Sequence, residues 1–445
     1  MTRVLVAGAG VAAVECVLAL RDLAGSRAAI ELLAPAAEFV HRPSSVKTPF
    51  GGAPAARIDL RRLATELGIK VRRDGVDSVD TQSHQVLTRD GDRVAYDLLV
   101  VATGARSREA VPGAVTFRGP MQAGLVERAV ARVAAQPDLR LAFAAPASVR
   151  WLLPLYELAM LSAAALHDQG ISEPDIVVAT GEHEPLEVFG SAASEAVRGA
   201  LDRAGVQLVT SAAAASAFEG ALRLVSGELL PADVVVALPE IVGPEIRGLP
   251  RDSHGFIPVD VHGHVEGCGD EFAAGDVTAF PIKHGGLAAQ QADAVAEAIA
   301  ARLGAIGMPE PFRPVLRGLL LTDEASLYLR TELGAGGRRE QRLLPAPGTA
   351  SRNALWWPPG KVAGRYLTPF VAGGAAAGTL DDREPSDGAD GFELLMQAAE
   401  QDAAAGDHRS AVQTLDDAEA WLGPLPVPAA QRREAWRRLI ASTTR

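Results

Sequence analysis

Val4-Leu5-Val6-Ala7-Gly8-Ala9-Gly10-Val11-Ala12-Ala13 is the stretch on which the fold turns. Four apolar residues in a row make a short buried strand, two glycines frame a tight turn, and Val11 opens an apolar helix reaching Leu23. Ala29-Ile30-Glu31-Leu32-Leu33 then supplies a second strand and completes a β-α-β unit. Gly8 permits the turn, Gly10 lets the backbone approach a pyrophosphate, and Ala13 lets helix and strand pack closely, while the helix N-terminus favours phosphate charge. In that context the G-x-G-x-x-A spacing reads as dinucleotide binding, against the alternative of a tight turn that holds no nucleotide. The acid expected after the second strand to bind a ribose hydroxyl is missing. Ala34-Pro35 stands there, Glu31 lies earlier within the strand, and Glu38 reaches in only from the following loop.

Working outward, strand-like runs recur over residues 97–102, 139–144, 175–180, 233–238 and 271–274. Helical patterns cover 155–167, 191–204 and 286–303. Alternation of this kind predicts an α/β fold with parallel sheets. The texture changes at Pro309. Residues 319–322 and 326–331 look strand-like, 334–337 and 345–348 break the chain, and Trp356-Trp357-Pro358-Pro359 and Tyr366-Leu367-Thr368-Pro369-Phe370 add aromatic segments punctuated by proline. Residues 373–391 are rich in Gly, Ala and Asp and read as a linker. Residues 392–445 read as two or three amphipathic helices, resembling a tetratricopeptide hairpin.

Composition narrows the function classes. A chain of 445 residues exceeds the ~250–300 at which single cores stop growing, so two or three units are expected. A net charge of −12 argues against nonspecific nucleic-acid binding and a broadly basic membrane face. The two cysteines, Cys16 and Cys268, exclude a disulfide scaffold and any four-cysteine metal site; no metal site is expected. No apolar run is long enough to span a bilayer, and the first residues lack a signal-peptide pattern, so a cytoplasmic protein is expected.

Three ordered blocks carry a resemblance. Gly8–Ala13 is the first; Tyr96-Asp97-Leu98-Leu99-Val100-Val101-Ala102-Thr103-Gly104-Ala105 and Phe272-Ala273-Ala274-Gly275-Asp276-Val277 are the others. Together they resemble the FAD-dependent pyridine nucleotide–disulfide oxidoreductases across about the first 305 residues. Phe39-Val40-His41-Arg42-Pro43 and Gln290-Gln291-Ala292 are most similar to the sulfide:quinone and type II NADH:quinone oxidoreductases within that group. The resemblance implies two Rossmann-like domains, a C-terminal extension and FAD as cofactor. Residues 1–110 and 236–308 would form the FAD-binding domain and 111–235 a second Rossmann-like domain. A cap or interface segment at 309–372, the 373–391 linker and the 392–445 tail would follow. The cofactor-binding residues implied are Gly8, Gly10, Ala13, Arg42, Thr103, Gly104, Gly275, Asp276 and Gly286, with the Asp276 carboxylate on the ribityl chain.

The remaining residues qualify that expectation. A helix starting at Gly285 or Gly286 would aim free N–H groups and a positive dipole end at the flavin pyrimidine edge. Lys283 either adds a charge there or is a solvated loop lysine. His284 either relays a proton or is an ordinary surface histidine, and Glu157 either faces the flavin as an acid/base or caps or pairs structurally. These three are the catalytic candidates. Cys16 and Cys268 lie in different blocks and cannot form the closely spaced pair of a disulfide reductase, nor the cysteine set of a sulfide oxidase. After the 139–144 strand comes Ala145-Pro146-Ala147-Ser148-Val149-Arg150-Trp151, where Pro146 and Trp151 obstruct the backbone approach that a nicotinamide dinucleotide needs. Trp356, Trp357, Tyr366 and Phe370 read as core beneath a proline-rich loop, with a quinone or substrate slot or a dimer contact as alternatives.

The expected function is transfer of electrons from a reduced small-molecule donor through FAD to a second acceptor, with a quinone the leading acceptor that the resemblance implies, without a redox disulfide. An NAD(P)H-dependent reductase of a soluble electron carrier and a noncatalytic FAD-binding scaffold are the alternatives. Expected partners are the small-molecule donor and acceptor, a second copy in a homodimer and a protein partner for the helical tail. Nucleic acid is not expected, and peripheral membrane contact stays open.

Overall fold

The computed structural model describes residues 1–52, 55–322, 326–334, 348–371, 381–382 and 425–443, with isolated positions between 396 and 419. Two five-stranded parallel sheets carry the chain, as the α/β alternation predicts. The first runs in the order Glu271–Ala273, Leu98–Val101, Thr2–Ala7, Ala28–Leu33, Lys70–Arg72. Its central strands are covered on both faces, which is why Val4–Ala7 and Leu98–Val101 are uninterrupted apolar runs.

Among the described residues the helices are α1 (Val11–Ala24), α2 (Leu60–Leu67), α3 (Ala123–Ala135), α4 (Leu153–Asp168), α5 (Ser191–Arg203), α6 (Gly285–Arg302), α7 (Leu367–Val371) and, in the tail, α8 (Val427–Thr443). Helices α1 and α6 pack together through small side chains, Ala12, Ala13 and Ala19 meeting Ala288, Ala292 and Ala296 in one core cluster. Small residues at the contact let helix axes approach closely. Gly8 is held at φ +144°, and a Cβ there would stand 2.1 Å from the Ala102 carbonyl oxygen, so the turn admits glycine alone.

The second sheet runs Val115–Thr116, Val234–Ala237, Leu141–Ala144, Ile176–Ala179, Val206–Val209, again all parallel. Val234–Ala237 belongs to this sheet throughout, so the expected return to the first unit at 236 falls inside a strand. The chain crosses back through Glu240–Val242, which pairs antiparallel with the outgoing segment Arg106–Arg108.

Beyond α6 the chain forms an antiparallel sheet of Val315–Leu320, Leu327–Glu332 and Thr349–Ser351. Its first strand starts four residues earlier than the expected 319. Pro314, with no N–H to offer a ladder, closes the preceding loop, and Leu316 and Leu320 point into the core of the second unit. Tyr366 and Leu367 pack into the core of the first unit, so the extension touches both. Trp356 is fully buried edge-on against Tyr328, at 5.0 Å between ring centroids, and Tyr366 is buried, so these two are core residues and line no slot.

Trp357 packs against a tail cluster of Ala411, Leu415, Leu425 and Ala429. Within the expected linker, Asp381–Asp382 pairs with Trp356–Trp357 in a short antiparallel ladder. The rest of that linker, and most of the expected breaks at 334–337 and 345–348, lie outside the described residues. No described helix is long and apolar enough to cross a membrane.

Candidate active site

One continuous cavity of about 2890 Å³ opens between the two parallel sheets. The turns that follow Thr2–Ala7, Leu98–Val101 and Glu271–Ala273 line one side, and Pro146–Pro154 with Gly181, Glu182 and Leu238 line the other. Ligands of open α/β sheets bind outside the carboxyl ends of the strands, where these turns sit. The volume exceeds the ~300–1,000 Å³ of a single-ligand pocket several times, leaving room for a dinucleotide and a second molecule.

At the glycine end, Gly10 precedes α1 in extended conformation, and no atom lies within 4 Å of the place a Cβ would take. Helix α1 has no side-chain cap, so its first N–H groups are left for a ligand in the cavity. Ala13 is fully buried behind it, in packing contact only. Thr103 and Gly104, the latter at φ +72°, line the same wall, as does Arg42 from the turn Arg42–Phe50. Glu38 also lines the cavity, in an ion pair with Arg57 at 2.8 Å. Gly275 is held at φ +82°, and a Cβ there would press to 2.9 Å from that of Ala12. The next residue, Asp276, presents a carboxylate to the cavity with no hydrogen-bond partner among the described residues. Burial raises its carboxyl above the ordinary range, and Lys283 and Arg42 pull it partly back.

The other end is set by the segment before α6. Lys283 is not a solvated loop lysine. Its Nζ donates to the carbonyls of Thr278 at 2.6 Å and Phe280 at 2.8 Å, and lies 3.6 Å from the Phe256 ring centre. Burial lowers its pKa to about 8, against the pull of Asp276 and Asp252. His284 is not a surface histidine. It is buried, caps α6 by accepting the Leu287 N–H on Nδ1 at 3.3 Å, and is held to about 3 by burial and by the charges of Lys361 and Arg317. A neutral ring at that value cannot act as the neutral-pH proton relay considered for it. Gly286 is buried and does not line the cavity; a Cβ there would meet His284 Cε1 at 2.8 Å, so its job is to make room for the imidazole.

Glu157 lies off the cavity, fully buried in α4. Both carboxylate oxygens pair with Lys361 Nζ, at 2.5 and 2.6 Å, and Oε1 also accepts the Leu321 N–H at 2.9 Å. Lys361 does line the cavity. Sequence reasoning missed it, although a lone lysine amid the apolar segment from Ala354 to Phe370 was the available signal.

In the second unit Trp151 lines the cavity in the segment that follows the strand Leu141–Ala144. Its ring lies 4.4 Å from that of His284 and 5.9 Å from that of Phe189. The carboxylate of Glu182, just past Ile176–Ala179, is occupied by the Tyr156 hydroxyl at 2.6 Å and by Thr180, and burial pushes it up to about 7. Cys16 is buried in α1 and Cys268 is half-buried; burial raises both thiols, and neither lines the cavity.

Residues 2–135 match the family model described as pyridine nucleotide-disulphide oxidoreductase. That first third of the chain is similar to the family. The ferredoxin–NAD(+) reductase component of the biphenyl dioxygenase system of Paraburkholderia xenovorans is 28% identical over 304 residues, 64% of this chain and 69% of that protein. In fold the chain is similar to the sulfide:quinone oxidoreductase of Aquifex aeolicus, at TM-score 0.69 and 20% identity over 79% of this chain and 87% of that one. A ferredoxin reductase of Rhodopseudomonas palustris follows at TM-score 0.58 and 21% identity, over 76% and 84%. FAD is the cofactor that a pyridine nucleotide-disulphide oxidoreductase fold of this kind holds. The open cradle at Gly10 and the Asp276 carboxylate, without a hydrogen-bond partner among the described residues, fit a pyrophosphate and a ribityl chain.

Proposed function

We propose that this FAD-dependent oxidoreductase passes electrons from a reduced donor to a carbonyl-bearing acceptor such as a quinone, without a redox disulfide. The observation that carries this reading is the cavity itself. It joins a dinucleotide cradle to an apolar recess of Trp151, Leu153, Ile282, Phe312 and Leu319, with no cysteine in its lining. FAD supplies the two-electron chemistry. Gly10 and the start of α1 bind its phosphates, Asp276 orients its ribityl hydroxyls, and Arg42, Thr103 and Gly104 wall it in. Lys283 and the N-terminus of α6 would offer positive charge to the reduced flavin, since a dry, fixed cation acts more strongly than in water. Pro146 and Trp151 keep a nicotinamide dinucleotide from the position it takes on a glycine turn.

An absorbance spectrum of the purified protein followed by anaerobic titration tests this. We expect about one noncovalent FAD per chain, slow and poorly saturating reduction by NADH or NADPH compared with dithionite, and rapid reoxidation by duroquinone. Fast saturable bleaching by NADH would instead favour a second reading, a reductase of a soluble electron carrier, which the name of the Paraburkholderia relative supports.

A further inference from the structure

Among the groups that face the cavity, His284 has a use that neither the cofactor nor the core accounts for. Its ring is fixed on three sides. Nδ1 accepts the Leu287 N–H, Gly286 leaves space against Cε1, and the Trp151 indole lies tilted at 52° across the ring, 4.4 Å away. A nitrogen that accepts a hydrogen bond carries no proton, so in the neutral imidazole the hydrogen is on Nε2. Nε2 has no partner among the described residues, and the residue lines the cavity.

The ring's charged surroundings are cationic: Arg317 from Val315–Leu320 and Lys361 from the C-terminal segment. Lys283, next in sequence, is turned away to the Thr278 and Phe280 carbonyls, Glu157 is engaged by Lys361, and Trp151 contributes no charge. Cations around a buried imidazole keep it neutral, so the site holds a single-proton donor that does not change charge.

We propose that His284 is a tautomer-locked hydrogen-bond donor whose Nε2–H grips a carbonyl oxygen of the acceptor in the recess beside Trp151, and so selects neutral, carbonyl-bearing planar acceptors. The inference rests on the acceptor reading above. The acceptor is favoured over a flavin carbonyl because the ring lies against Trp151 of the second unit and is bordered by Arg317 and Lys361 of the C-terminal extension. A neutral donor of fixed tautomer polarises a carbonyl without first having to lose a proton.

The test uses the FAD-loaded protein, duroquinone as probe, and the variants His284→Phe, which keeps a ring without a donor, and His284→Gln, which keeps an amide donor. Ring ¹⁵N shifts of His284 should show the Nε2–H form, unchanged from about pH 5 to 8, a range in which an ordinary histidine titrates. Quenching of Trp fluorescence by duroquinone should report binding three- to tenfold weaker in His284→Phe, about the size of one neutral hydrogen bond, and largely restored in His284→Gln. A proton on Nδ1, an imidazolium at neutral pH, or wild-type duroquinone affinity in His284→Phe would overturn the proposal while leaving the acceptor reading in place. So would a shifted flavin spectrum with unaltered duroquinone affinity, which would assign the contact to the cofactor. Wild-type protein that neither binds duroquinone nor is reoxidised by it would overturn both.

Discussion

Lys361→Met isolates the buried pair under the cavity floor. In the wild type Lys361 reaches both oxygens of Glu157, whose side chain is 0% exposed, and the Leu321 N–H supplies the one other hydrogen bond to that carboxylate among the described residues. Methionine preserves the bulk of the lysine stem and removes the charge, leaving a carboxylate with one amide donor inside α4. Breaking a buried pair in this way costs about 3–5 kcal/mol, because the surviving charge keeps its desolvation penalty. The penalty should depend on pH. Burial already raises the Glu157 carboxyl and Lys361 pulls it down, so the variant holds the proton more tightly than the wild type. A carboxyl whose folded pKa lies above its unfolded value contributes stability at low pH and loses it as the pH rises through the folded value. The gap between variant and wild type should therefore narrow as the pH falls from neutral toward the ordinary carboxylate range.

Glu157→Gln/Lys361→Met keeps an acceptor for Leu321 and carries no buried charge. It should cost less than Lys361→Met alone, and with the single variant Glu157→Gln the double-mutant cycle gives the coupling energy as the double-variant cost minus the two single-variant costs. Urea unfolding midpoints of the four proteins at several pH values provide the assay. A single-variant cost below ~1 kcal/mol, independent of pH, would refute the buried-charge reasoning.

Four further outcomes are expected. Gly10→Asp places a carboxylate in the open phosphate cradle and should abolish FAD retention, while Asp276→Ala, losing a charged acceptor worth ~1.5–3 kcal/mol, should weaken FAD binding at least roughly tenfold; flavin fluorescence on dilution measures both. Lys283→Met should lower the midpoint potential of bound FAD at neutral pH and abolish the extra fall expected of the wild type as the pH rises through about 8, read by spectroelectrochemical titration. Ending the chain near Gly388 should leave the flavin spectrum intact but uncover Trp357, which packs on the tail cluster, seen as a red shift of tryptophan emission; loss of FAD would place the tail within the catalytic unit.

What the sequence determined by itself is local. The strand–turn–helix at Thr2–Ala24, the A-T-G turn at Ala102–Gly104 and the strand leading to Gly275-Asp276 are set by apolar runs and by backbone conformations glycine alone tolerates, so they were legible as they stood. The lack of a second glycine turn after Leu141–Ala144, with Pro146 and Trp151 in its place, was legible for the same reason, since it depends on residues within one turn. What only the tertiary structure decided is the state of the ionisable groups. Lys283 and His284 read as loop residues because no neighbour in sequence buries them; Phe256, Trp151, Arg317 and Lys361 do so from far along the chain. Glu157 finds its cation 204 residues away. Desolvation and charge pairing act through space and are strongest between groups that folding alone brings together, so the chemical end of the cavity had to wait for the packing of the C-terminal segment across both sheets.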